Sequence, residues 1–317
     1  MATYKEIHGV KVQYRDSDAT AIEGDVWYNA STGLLKMYAA LGAWSSGGDL
    51  NLGRKSHGSA GTQTAALTWG GDDVSPESDE TESYDGSSWT ELADMNTGRR
   101  SSAGFGTQTA AIQGGGATPI VATTESWNGT SWTEINNVNT ARDEGSSSVG
   151  IQTAGLVFGG APGLAVTEYF DGTNWTEVAD LNEGRQEMGS FGVQGSAICA
   201  GGETPQTDDV ESWNGTSWTE VGDMNTNAQR RGGAGSSNTE GIVIGGLVDP
   251  PTTANTEQWD GSSWTEVANL STSRYHARGT SAGTASTAAI AHGGHPPRLV
   301  NTEEWNVSAS VETVAFD

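Results

Sequence analysis

The octapeptide WNGTSWTE stands at residues 127–134 and again, unchanged, at 213–220. Near-copies occupy 84–91 (YDGSSWTE), 170–177 (FDGTNWTE) and 259–266 (WDGSSWTE). The tryptophans near the end of these copies, Trp89, Trp132, Trp175, Trp218 and Trp264, follow one another at steps of 43, 43, 43 and 46 residues, and Trp44 precedes the first by 45. Two further markers keep the same beat. A Gly-Gly pair begins at Gly70, Gly114, Gly159, Gly201, Gly245 and Gly293. An arginine follows the tryptophan by ten residues at Arg54, Arg99, Arg142, Arg185 and Arg274, and in the fifth period it is read as displaced by two, to Arg230. Self-similarity at a fixed period of this length signals an array of supersecondary units, none of which buries its apolar face alone.

Each period reads as four short strands. A small-residue stretch such as SSAGFG (101–106) leads through a turn, GTQT at 61–64 and 106–109, to an apolar run ending in the glycines. After a loop of variable length comes an alternating strand, TESY, TESW, TEYF, VESW, TEQW or TEEW. Asp-Gly or Asn-Gly follows, which predicts a type I′ hairpin, and the returning strand carries the tryptophan. Four-stranded sheets repeated about an axis form a β-propeller. The expected fold is all-β: six blades at 54–98, 99–141, 142–184, 185–229, 230–273 and 274–316, with residues 1–53 as an N-terminal arm or anchoring hairpin. Trp44, in KMYAALGAW, imitates the hairpin that precedes a blade. It is expected either to lend a strand to the sixth blade, where Val311 stands in place of tryptophan, or to belong to a seventh blade. Six is the preferred count.

The arginine opening each blade, the strand ending in Gly-Gly, the aromatic residue and the spaced tryptophan together resemble the kelch family over residues 54–316. The resemblance implies a propeller fold, and kelch propellers serve as enzymes and as scaffolds. The repeat is shorter than the usual kelch length of about 50 residues, and Asn306-Val307 replaces Asn-Gly in the last copy. No Gly-His…Trp-Asp pair recurs, and YDGSSW is one residue short of a sialidase Asp-box. The five repeated tryptophans and their cross-turn partners Tyr84, Trp127, Phe170, Trp213 and Trp259 are expected to be packing residues.

Composition narrows the partners. The formal charge is −25 with only 15 basic residues, which speaks against nucleic acid and anionic membrane surfaces and for solubility. Only 34% of residues are hydrophobic, but 12 Trp and 45 Gly suit short strands and tight turns. Cys199 is the lone cysteine, so no disulfide framework is expected. No apolar run is long enough for a membrane span. The segment MATYKEIHGV has neither a basic nor an apolar signal region, so synthesis in a cytosol without N-terminal export is expected.

No catalytic set, cofactor or metal is expected. A galactose-oxidase-like site needs copper ligands and a Cys–Tyr link, whereas Cys199 lies in the strand AICAGG, where a small core residue belongs. The histidines are His8, His57, His276, His292 and His295; four fall in blades 1 and 6, which adjoin if the ring closes, but their spacing fits no metal motif. A sialidase-like site needs clustered arginines, whereas these recur one per blade, as structural ties would. No Ser-His-Asp order, Walker loop or GxGxxG is present. The acidic pairs Asp72-Asp73 and Asp208-Asp209, and Asp16 with Asp18, are weighed as cation ligands and read as solvated loops. Asn-X-Ser/Thr at Asn29, Asn128, Asn174, Asn214, Asn269 and Asn306 is read as turn chemistry.

Residues 24–44, GDVWYNASTGLLKMYAALGAW, resemble a hairpin module of bacteriophage virion and tail-fibre proteins, and the Thr/Ser/Gly-rich blades resemble propellers encoded by aquatic phages. That resemblance implies a virion structural protein, assembled in the host cytoplasm. Its arm would join other virion proteins, and its propeller would bind a host surface glycan or protein. A sugar-acting oxidase or glycosidase and a cellular kelch scaffold are the alternatives. The loops after the Gly-Gly strands (72–80, 117–124, 161–167, 203–209, 247–256 and 295–302) differ in length and content, whereas the opposite turns are uniform. Varied loops on a rigid scaffold are where recognition sits. The expected ligand contacts are therefore Trp69, Phe158 and His292 at the strand ends, with Asp72, Asp73 and His295 beside them.

Overall fold

The computed structural model describes residues 12–18, 25–72, 77–117, 119–143, 147–203, 205–248, 251–279 and 287–314. These residues form strands and turns and no helix, so none is long and apolar enough to cross a membrane. The chain divides into two compact units, Trp44–Trp305, and Met1–Ala43 together with Asn306–Asp317.

The larger unit repeats one sheet. Its first copy sets Gly58–Thr62, Ala65–Trp69, Thr81–Tyr84 and Trp89–Glu91 side by side in chain order, each antiparallel to the next. Four more sheets follow the same plan. Their first strands are Ala103–Thr107, Ser147–Ile151, Gly189–Val193 and Gly232–Ser237, and their outer strands begin at Trp132, Trp175, Trp218 and Trp264. In the sixth, Ala288–His292 is followed by Thr302–Thr313, and the strand Leu34–Ser46 lies beside the latter. This repeated all-β arrangement is consistent with a β-propeller. Trp44 therefore belongs to the sixth sheet. Its ring lies 5.4 Å from that of Trp305, as Trp132 lies 5.5 Å from Trp127. Its indole N–H donates to Thr256 Oγ1, as those of Trp132 and Trp218 donate to Thr81 and Thr167.

The repeated tryptophans are buried, none more than 7% exposed. They sit between consecutive sheets: Trp132 packs on Trp69 at 5.1 Å and Trp218 on Phe158 at 4.8 Å. Trp89 of the first sheet packs on His292 of the sixth at 5.0 Å and donates to Thr302 Oγ1 at 2.9 Å. Glycines make the room. A Cβ on Gly58 would meet the indole nitrogen of Trp69 at 2.3 Å, and one on Gly104 would meet the same ring at 2.7 Å.

The arginines tie each sheet together from inside. Arg54, Arg99, Arg142, Arg185 and Arg274 are buried, and each pairs with a buried glutamate of the third strand, Glu82, Glu125, Glu168, Glu211 and Glu303, at 2.5–3.2 Å. The same guanidinium donates to a carbonyl of the Gly-Gly region, such as Gly70 or Gly159. The fifth sheet corrects the sequence reading. Arg231, not Arg230, donates to Gly245 O at 2.8 Å and to Glu257 at 2.9 Å. Ala228 stands where the other repeats have arginine, and the guanidinium reaches the same acceptors from three residues further on.

The hairpins differ from the expected type I′ turn. Only the glycine has positive φ, 92–93° at Gly86, Gly129, Gly172, Gly215 and Gly261. The preceding Asp or Asn side chain instead accepts the N–H groups two and three residues on, as Asn128 does from Thr130 and Ser131. In the smaller unit, Gln13–Arg15 runs parallel to Val26–Asn29, which pairs antiparallel with residues 34–37. Trp27 is its buried anchor, and Asp18 accepts the Trp27 indole and the Asn29 amide at 3.0 and 2.5 Å.

Candidate functional site

In an antiparallel sheet the connection entering the first strand and the one leaving the second lie at the same end. Backbone pairing here makes that literal. Residues just after the Gly-Gly pairs bond to residues just before the first strands: Asp72 to Lys55, Ala117 to Arg100, Ala161 to Asp143, Glu203 to Gln186, Leu247 to Gln229 and His295 to Tyr275. The six variable loops thus leave from beside one ring of residues.

That ring holds Ser56, Ser101, Glu187, Arg230 and His276; position 144, which matches them in the sequence of the third repeat, lies outside the described residues. All five have φ between 53° and 62°, and among the described residues they are the only non-glycine residues with positive φ. Such a conformation costs about 1–3 kcal/mol each and persists only where the surroundings impose it. Backbone bonds run from one member to the next, Ser101 N to Ser56 O, Arg230 N to Glu187 O and His276 N to Arg230 O, at 2.7–2.9 Å. At the junction of His276 and Ser56 side chains take over: Ser56 Oγ lies 2.8 Å from His276 Nδ1. His276 Nε2 lies 2.8 Å from Glu187 Oε2, and Arg230 Nε lies 3.5 Å from the other Glu187 oxygen. Burial alone would raise the Glu187 carboxyl, but the charge and hydrogen bond of His276 and the guanidinia of Arg230 and Arg278 hold it below its ordinary value. Behind the ring lies a partly open cavity of about 30 Å³ lined by Ser59, Ser102, Ser148, Ser190, Arg231 and Arg278 among others. It has room for water but not for a sugar.

Charge is distributed unevenly. With the six glutamate-paired arginines set aside, the basic residues of 44–305 are Lys55, Arg100, Arg230, Arg278 and Arg298. All five lie in or beside the ring or in the loop following Gly294. Asp72 gathers three of them, with Arg298 at 2.7 Å, Lys55 at 3.3 Å and Arg100 at 3.8 Å. Burial would raise its carboxyl, but the Arg298 and Lys55 hydrogen bonds outweigh that and hold it low. His295 packs on Tyr275 at 5.2 Å, and burial with the charges of Lys55 and Arg298 lowers its pKa. Tyr275 in turn underlies Arg230 at 5.7 Å.

The residues expected as ligand contacts separate into two groups. Asp72 and His295 stand at the loop-bearing end, while Asp73 lies outside the described residues. Trp69, Phe158 and His292 are fully buried. They point between sheets at the next repeat's tryptophan, so their variation is core packing and none of the three offers its side chain to a ligand. Cys199 is buried, and burial pushes its thiol up to about 12, which leaves it an inert core residue. Ser56, Glu187 and Arg230 were missed as a group. The signal available was that one position in near-identical repeats changes from serine to glutamate to arginine to histidine.

The opposite end is used differently. Gln63, Gln108, Gln152, Gln194 and Asn238, all in the uniform turns, each donate to a carbonyl of the preceding sheet, from Gln108 to Tyr84 O at 2.6 Å to Asn238 to Trp213 O at 3.1 Å. Gln63 reaches Trp305 O of the sixth sheet at 2.7 Å. No protein-family model matches the chain, and the comparison with curated proteins found no match.

Proposed function

We propose that the six sheets are blades of a closed kelch-like β-propeller, and that the protein is a bacteriophage virion component, a tail fibre, adhesin or decoration protein. Its loop-bearing face binds a host surface ligand, and the N-terminal arm joins it to other virion proteins. Closure is supported by the bonds between first and sixth sheets at Trp89, Gln63 and Ser56. The observation that carries the binding reading is the gathering of Lys55, Arg100, Arg230, Arg278 and Arg298 at the loop-bearing end, where Asp72, Glu77, Glu187 and Glu203 hold most of them in ion pairs. Guanidinia fixed in this way keep further N–H groups for bidentate contact with a carboxylate, so the favoured partner is a surface glycan bearing acidic groups. The uniform turns of the other face are occupied in tying blades together. Recognition needs no reaction, metal or cofactor.

A glycan array probed with the full-length protein tests this. Binding is expected on uronic- or sialic-acid glycans, weakened at least tenfold by Arg100→Gln with Arg298→Gln and by raised salt. Binding to neutral glycans alone, or unchanged binding by the variant, would overturn the reading.

A further inference from the structure

The partly open cavity behind the ring carries an inference beyond glycan recognition and independent of it. Ser59, Gly104, Ser148, Ser190, Gly233 and Gly279 all line it, one from each repeat. Each follows a residue that pairs with the second strand, from Gly58 with Trp69 to Arg278 with His292. In an antiparallel pair the backbone N–H and C=O groups at alternate positions turn away from the neighbouring strand. Here they turn toward the cavity, as Gly104 N shows by donating to Ser148 Oγ of the next repeat at 2.9 Å. Glycine lets these edges come close. A Cβ on Gly233 would meet Ser190 O at 2.2 Å, and one on Gly279 would meet Gly233 O at 2.3 Å. Among the described residues the lining holds two guanidinia, Arg231 and Arg278, and no carboxylate. The Arg231 side chain is fully buried, and its Nη2 has no hydrogen-bond partner among the described residues. Every other described arginine pairs with a carboxylate, whereas Arg278 has no such partner among them. Its Nε donates to His57 O at 2.6 Å, and the charge nearest in effect, Glu187, already serves His276 and Arg230. A charge withdrawn from water without a partner is costly, and a counter-ion removes that cost.

We propose that this cavity binds one small monovalent anion of the halide class, chloride being the ordinary occupant. Arg278 supplies the charge, through charge-assisted hydrogen bonds. Arg231 and the hydroxyls of Ser102 and Ser190, whose protons rotate to suit, are the further donors of the lining. Size selects the ion. One ordered water needs roughly 10–15 Å³, so a cavity of about 30 Å³ admits a halide and excludes a sugar acid such as gluconate.

Two measurements on the full-length protein test this. Crystals soaked in sodium bromide locate the ion by its anomalous scattering, and melting curves compare sodium chloride with sodium gluconate at one ionic strength. An anomalous peak is expected in the cavity beside the Arg278 guanidinium. The melting temperature should climb with the logarithm of chloride concentration above the dissociation constant, because the anion binds the folded state and not the unfolded chain. Gluconate should produce no such climb. Arg278→Gln should remove both the peak and the chloride dependence. Lys36→Gln, which removes an equal charge from the smaller unit, should keep both. The bromide map of the unmodified protein decides even if Arg278→Gln fails to fold. No bromide in the cavity, bromide there with equal melting in the two salts, or a chloride dependence unchanged in Arg278→Gln would overturn the proposal.

Discussion

At the scale of the residue, the buried arginine–glutamate pair is the unit that recurs most faithfully. Its spacing was legible because every guanidinium must reach the same glycine carbonyl and the same third-strand glutamate. The fifth repeat shows where reading by spacing fails: Arg230 and Arg231 are adjacent, and only geometry tells which one turns inward. Removing one partner of a fully buried pair leaves an uncompensated charge and costs roughly 3–5 kcal/mol, whereas a half-exposed pair is worth about 0–1 kcal/mol. Arg231 and Glu257 are both fully buried at the side chain, while Arg230 is 25% exposed. Chemical denaturation should therefore show Arg231→Met destabilised by roughly 3–5 kcal/mol and Arg230→Met by about 1 kcal/mol or less. The reverse order would restore Arg230 as the structural residue. Trp69, Phe158 and His292 were misread for a related reason. Variation looked like freedom from packing, but the space opposite varies too, as the glycines at 58 and 104 beneath Trp69 show.

At the scale of the element, the strand Ala288–His292 of the sixth sheet meets the segment entering the first sheet through two buried histidines. His57 Nε2 and His292 Nδ1 are 3.2 Å apart, and both side chains are fully buried. Burial, the neighbouring histidine and the guanidinia of Arg54 and Arg278 press His57 well below its ordinary value. Burial, with Arg54, Arg278 and Arg274, pushes His292 down to about 3. The folded state holds these rings neutral, while the unfolded chain protonates them below about 6.5. Stability is thus fully present above that pH and declines as pH falls toward 3, by up to about 1.4 kcal/mol per unit for each histidine. Between pH 6.5 and 5 ordinary carboxylates stay ionised, so the histidines dominate. The melting temperature should fall across that window, and His292→Gln should flatten the slope, since a glutamine side chain takes up no proton in this range. A slope unchanged in the variant would contradict this. The sequence placed these histidines in repeats one and six, but contact between them follows from the sheets' adjacency, which no local pattern encodes.

At the scale of the whole molecule, three in-phase markers were enough to read an all-β array of repeated sheets, because each marker serves a contact that every sheet must make. The ring of Ser56, Ser101, Glu187, Arg230 and His276 was not legible. Its members share a backbone conformation rather than a residue type, and its side-chain contacts join repeats distant in sequence. The proposed binding face depends on closure of six blades, with the first beside the sixth. The most direct measurement replaces Asp72, after the first sheet's second strand, and Arg298, in the loop following Gly294 of the sixth, by cysteine in the full-length chain and follows cross-linking by a short bifunctional maleimide. The two side chains meet at 2.7 Å and both reach solvent, and Cys199 is buried away from the reagent. The account predicts rapid, near-complete cross-linking of the native D72C/R298C protein, seen as a mobility shift, and none in denaturant. Failure to cross-link in the native state, as a seventh blade between the two or an open array would cause, would contradict it.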